Sequence, residues 1–132
     1  MMNDVQKEYA LAKAAAETIE SVYDEAEEKF ILESGYRNPD GTVPKHLYMI
    51  EDDEAFEKLC NEYASHPDNN WDDVNKAKEV LHQAEERLID FALSIVPASV
   101  RSRLQEGRNI VKVREKLIDA AFRLDTTTIK SA

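Results

Sequence analysis

Several groupings of acidic residues and histidine have spacings that could hold a metal or move a proton. Glu79-Val80-Leu81-His82 has the Glu-x-x-His spacing that puts two ligands on one side of a helix. Di-iron bundles need two such motifs and two further inward glutamates. This chain has one copy, and the apolar seam described below turns Glu79 and His82 outward. Asp68-Asn69-Asn70-Trp71-Asp72 opens like a calcium loop, with Glu79 in the twelfth position. The sixth position, where the sharp turn needs glycine, is Asp73, and the eighth is the polar Asn75. The same residues read better as a helix cap and its first turn.

Glutamates recur at i, i+3 in the pairs Glu17/Glu20, Glu25/Glu28, Glu51/Glu54 and Glu54/Glu57. Such pairs could present oxygens to magnesium, but a two-helix site would need a matching Glu-x-x-Asp, and the chain contains none. They read as a solvated face. His46, His66 and His82 lie in different segments and, with Cys60, match no zinc spacing. Cys60 sits where a helix should face a core, which suits a small buried hydrophobe better than a nucleophile. Serine, histidine and aspartate are all present, but no nucleophile elbow is. The three glycines, Gly35, Gly41 and Gly107, are far apart, so no phosphate-cradling loop can be written. The sequence thus assigns no catalytic residue, metal ligand or cofactor, and points to no small-molecule substrate.

Charge is the remaining chemical signal. The formal net charge is −10, yet residues 97–132 hold eight basic and four acidic groups. That segment is +4, and residues 1–96 are −14. Arg101, Arg108, Lys112, Arg114 and Lys116 could together contact phosphates. No aromatic residue is interleaved among them, which disfavours stacking on single strands. A helix-turn-helix centred on Gly107 fits poorly: Arg103, Ser102 and Glu106 would fall where small or apolar residues must pack. Docking of the basic segment on the acidic one is the favoured reading.

The elements that carry these residues follow from periodicity. Val5, Tyr9, Ala12, Ala16, Ile19, Tyr23, Ala26 and Phe30 alternate by four and three, which predicts one helix over 4–34 ended by Gly35. Val74, Ala77, Leu81, Ala84, Leu88, Phe91 and Ile95 repeat the pattern over 71–96, with Asn69 or Asn70 as cap and Pro97 as stop. Two seams of equal period are expected to pack as a long antiparallel, coiled-coil-like hairpin. A register with Tyr23 opposite Leu81 and Ile19 opposite Ala84 alternates large and small residues. Residues 35–70 form the connection. Asn38-Pro39-Asp40-Gly41 is a turn that leaves room for a one- or two-pair β-hairpin at 36–43. A shorter helix follows over 52–65, with Phe56, Leu59, Cys60 and Tyr63 inward. A basic helical pair covers 97–125, split at Gly107, with Ile110, Val113, Leu117, Ala121 and Leu124 inward. Residues 126–132 read as a frayed tail.

The reading is therefore one all-α, bundle-like domain over 1–132. With 42% apolar and 33% charged residues it is too apolar for a disordered chain and too charged for a membrane protein. The opening Met1-Met2-Asn3-Asp4-Val5-Gln6 lacks the regions of a secretory signal, and the lone Cys60 suits a reducing compartment, so a cytoplasmic location is expected. The function expected is a non-enzymatic protein-interaction or oligomerisation module, with a protein partner or a second copy bound through apolar residues beside the seams: Leu11, Val22, Ile31, Leu32, Val80 and Ile89. The alternatives are phosphate binding by the basic helices, or imitation of nucleic acid by residues 1–96.

Overall fold

The computed structural model describes residues 2–124, and every regular element among them is helical. In order they are α1 (Asp4–Ser34), a 3-10 turn (Leu47–Met49), α2 (Asp53–Ala64), α3 (Trp71–Ile95), α4 (Ala98–Gly107) and α5 (Val111–Phe122). The all-α expectation holds, and the predicted bounds of the two long helices match closely. The tail expected over 126–132 lies outside the described residues.

Local chemistry explains the helix ends. Asn3 and Gln6 form a reciprocal cap on α1: Gln6 N–H donates to Asn3 Oδ1 (2.8 Å) and Asn3 N–H to Gln6 Oε1 (2.9 Å). Gly35 follows Ser34 at φ 80°, a conformation that an L side chain resists. Asp52 caps α2 by accepting from the Ala55 amide at 3.0 Å. Its other end is satisfied by Asn69, whose Nδ2 donates to the Tyr63 carbonyl at 2.8 Å.

The β-hairpin allowed for at 36–43 is absent: no strand occurs among the described residues. The turn itself is present, with Gly41 N–H donating to the Asn38 carbonyl at 2.8 Å. What replaces the strands is the buried side chain of Asn38. Its Oδ1 accepts from Tyr36 Oη (2.8 Å) and the Glu51 amide (3.1 Å), and its Nδ2 donates to the Met49 carbonyl (3.2 Å). The loop is tied to the segment ahead of α2 rather than to itself.

The chain divides into two compact units. Unit 1 comprises Met1–Ala15 and Ala77–Ala132. Its core joins Tyr9 and Ala12 of α1, Ala84, Leu88, Ile89, Ala92 and Leu93 of α3, and Leu117, Ile118 and Ala121 of α5. Gln6, fully buried, donates from Nε2 to the carbonyls of Ala121, Phe122 and Leu124 and so caps the end of α5. Gly107 lets α4 and α5 approach, since a Cβ there would lie 3.3 Å from Val113 Cγ1.

Unit 2 comprises Ala16–Lys76. Ala16, Ile31, Ile50, Leu59, Tyr63 and Val74 are its buried apolar residues. Around them runs an aromatic cluster: Tyr23 with Trp71 and Tyr63, and Phe30 with Tyr63 and His66.

In unit 1 Glu8 of α1 pairs with Arg87 of α3, and in unit 2 Tyr23 of α1 meets Trp71 of α3. The expected register fails in unit 2, because Trp71 lies ten residues, nearly three helical turns, before Leu81. Tyr23 meets Trp71 instead of Leu81 because the aromatic rings cluster together, a larger gain than size alternation along the seam. Two residues expected inward, Phe56 and Ile110, are exposed, and two of the flanking residues thought left for a partner, Ile31 and Ile89, are fully buried.

Candidate functional site

The five basic residues singled out in the sequence all lie in unit 1. Arg101 is used by the backbone: its Nε donates to the Leu93 carbonyl (2.8 Å) and its Nη2 to that of Val96 (3.0 Å), capping α3. Arg108 bridges Glu86 (2.6 Å) and Asp90 (2.8 Å). Arg114 bridges Glu86 (2.6 Å) and Glu85 (3.3 Å), with Nη2 3.3 Å from His82 Nδ1. The Arg114 hydrogen bond, followed by the charges of Arg108 and Arg114, holds the Glu86 carboxyl below its ordinary value despite some burial. Lys112 and Lys116 stay exposed on α5 and make no ion pair among the described residues. Three of the five are thus engaged within unit 1, and the structure does not gather the five on one free face.

Unit 2 holds a site that motif reading passed over, centred on Glu27. This carboxylate, 5% exposed, is buried on α1. Its Oε1 accepts from the Leu47 amide at 3.1 Å and lies 3.0 Å from His46 Nδ1. His46 in turn stacks on Tyr48, with ring centres 5.2 Å apart. A buried carboxylate is tolerated where polar partners meet it, and here the Leu47 amide and the His46 ring do.

The charge of Glu27 reaches its neighbours. Burial, then the Glu27 hydrogen bond and charge, push the Tyr23 phenol far up. Burial and then Glu27 and Asp68 take Tyr63 up to about 12. Burial and Glu27 raise the Cys60 thiol. Cys60 is therefore held as the thiol, the wrong form for a nucleophile or a soft-metal ligand. It is half-buried, as a core-facing position predicts only in part.

Beside this charge opens a cavity of about 400 Å³ lined by Tyr23, Leu47, Cys60, Tyr63, Trp71 and Asp72 among others. That is within the roughly 300–1,000 Å³ of small-ligand pockets. Tyr63 is 1% exposed, and its hydroxyl has no hydrogen-bond partner among the described residues. No group of three histidine, cysteine or acidic side chains among the described residues is placed to hold a metal ion. Glu79 is exposed, and His82 faces Glu85, Glu86 and Arg114. One sequence signal did mark the site: Tyr23, Glu27 and Ile31 are spaced by four, a second inward stripe beside the seam.

No family model, curated protein or solved structure matches the chain. No helix is long and apolar enough to cross a membrane among the described residues.

Proposed function

We propose that this chain is a non-enzymatic, cytoplasmic interaction module that binds a basic protein partner through unit 2. The observation that carries the reading is the division of charge. Residues 16–76 contain seventeen acidic and five basic side chains, a formal −12, so unit 2 holds more than the whole net charge of the chain. A field of that size steers cationic partners into encounter. Exposed Tyr48, Met49, Phe56 and Trp71 supply the aromatic and methionine contacts from which interface centres are built. A second copy is the weaker occupant, because pairing through unit 2 would face one −12 surface with another. Phosphate binding through α4 and α5 is weakened by the engagement of Arg101, Arg108 and Arg114.

The test is fluorescence anisotropy with a labelled lysine-rich peptide and, separately, a labelled DNA duplex. The peptide should bind at low salt and weaken steeply as salt is added, while the duplex should stay unbound. Binding of the duplex without the peptide would overturn the proposal in favour of the basic helices.

A further inference from the structure

We infer that unit 1 binds a short fatty acid, its hydrocarbon chain in a cavity between the end of α3, α4 and α5 and its carboxylate against Arg103 and Lys116. The cavity measures about 180 Å³. Its wall includes Leu93 and Ile95 of α3, Leu104 of α4, Leu117 and Ala120 of α5, and Leu124 just beyond. Every lining residue is alanine, valine, leucine or isoleucine. The space exists because α4 brings little to fill it. No residue of that helix is buried, and Leu104 is the one apolar side chain it packs against the core of unit 1.

The wall offers nothing polar. Arg101 already takes the Leu93 and Val96 carbonyls, and Gln6 those of Ala121 and Leu124. Water inside would have no partner, so the space suits a hydrocarbon group. An apolar cavity of about 150 Å³ takes up benzene, which leaves room here for roughly six or seven carbons.

Charge at the rim selects the head group. Lys116 stands one turn before Ala120 on α5, and Arg103 one turn before Gly107, the α4 residue packed on Val113 of α5. The two cations therefore flank the α4–α5 side of the cavity. Both are exposed, and neither makes an ion pair among the described residues. No acidic side chain lines the cavity. An alkylammonium chain is disfavoured there, whereas a carboxylate can be met by both the arginine and the lysine.

Methyl-resolved NMR of the full chain reads the cavity directly. Sodium octanoate should shift the Ile95, Leu104, Leu117 and Leu124 methyls saturably, and leave those of Ile31 and Leu59 in unit 2 unmoved. Affinity should rise about fourfold per methylene from butanoate to octanoate and then level off. 1-Octanol and octylammonium, with the same chain, should bind several-fold more weakly. Arg103→Gln combined with Lys116→Gln should bring octanoate down to the level of octanol and leave octanol unchanged. Ala120→Leu, at an exposed position that does not endanger folding, should abolish binding of both. Equal binding of octanoate and octanol to the wild type would overturn the assigned head group. A gain continuing through dodecanoate would overturn the cavity as the seat of the chain. Saturation only in Ile129→Ser would give the cavity to the chain's own C-terminal residues, and a dimer broken by Ala120→Leu would give it to a second copy; either overturns the proposal.

Discussion

Replacing Glu27 by glutamine keeps an acceptor for the Leu47 amide but removes the charge felt by Tyr23, Cys60 and Tyr63. The phenols of Tyr23 and Tyr63 should then ionise at lower pH, as followed by phenolate absorbance, yet stay above an ordinary tyrosine because burial is the larger cause. The Tyr63 value also sets a stability prediction. Its phenol titrates near 10 in an unfolded chain and at about 12 in the folded one. Below about pH 10 both states hold the proton, and the fold has its full stability. As pH rises from there toward 12, the unfolded state ionises first and stability is lost. Tyr63→Phe should flatten that alkaline decline in melting temperature; an unchanged decline would show that Tyr63 is not responsible. At this scale the sequence was least legible. Glu27 is one of many glutamates on α1, and only its placement four residues from both Tyr23 and Ile31 separates it from the solvated ones.

Each end of α5 is fixed by a different kind of polar contact, and the two respond to different perturbations. Gln6 covers carbonyls at its C-terminal end from across the chain. Gln6→Ala should cost about 1–3 kcal/mol in urea unfolding, because those carbonyls lose a buried donor. Near the other end, Arg114 holds α5 against Glu85 and Glu86 of α3. Since the Glu86 carboxyl is depressed in the fold, its contribution is complete above the ordinary carboxylate range and fades as pH falls through the lower folded value. Glu86→Gln should therefore lower the melting temperature at neutral pH and reduce its further fall on acidification. A parallel acid decline in wild type and variant would overturn this assignment. The helices themselves were legible because heptad spacing, Gly35 and Pro97 act within a turn or two of where they stand. The register was not, since it depends on aromatic contacts between residues far apart in sequence, such as Tyr23 with Trp71. The absent β-hairpin has the same origin: Asn38 donates to the Met49 carbonyl and accepts from the Glu51 amide.

Across the molecule, charge was legible in the sequence but its boundary was not. Division at Pro97 leaves residues 97–132 at +4, whereas the compact units place the strong excess in 16–76 and leave unit 1 close to balance. The charge excess of unit 2 is therefore acidic. Charge reversal at exposed Glu51, Glu57 and Glu62 to lysine should slow association with the lysine-rich peptide about tenfold at low salt, with little change in dissociation. Equal loss in both rates would point to direct contacts instead of steering.

The bond from Gln6 to the last carbonyls of α5 also dictates an order of events during synthesis. Residues 16–76 leave the ribosome as an unbroken run, so unit 2 has all its partners early. Unit 1 is split around it, and the amide of Gln6 finds its acceptors only after Leu124 has been added. Chains emerge at about 5–20 residues per second, so the first turns of α1 wait seconds for the segment that completes their core. Through that interval residues 16–76 have every one of their own contacts to hand, while the amino-terminal turns of α1 still lack the α5 side of their core.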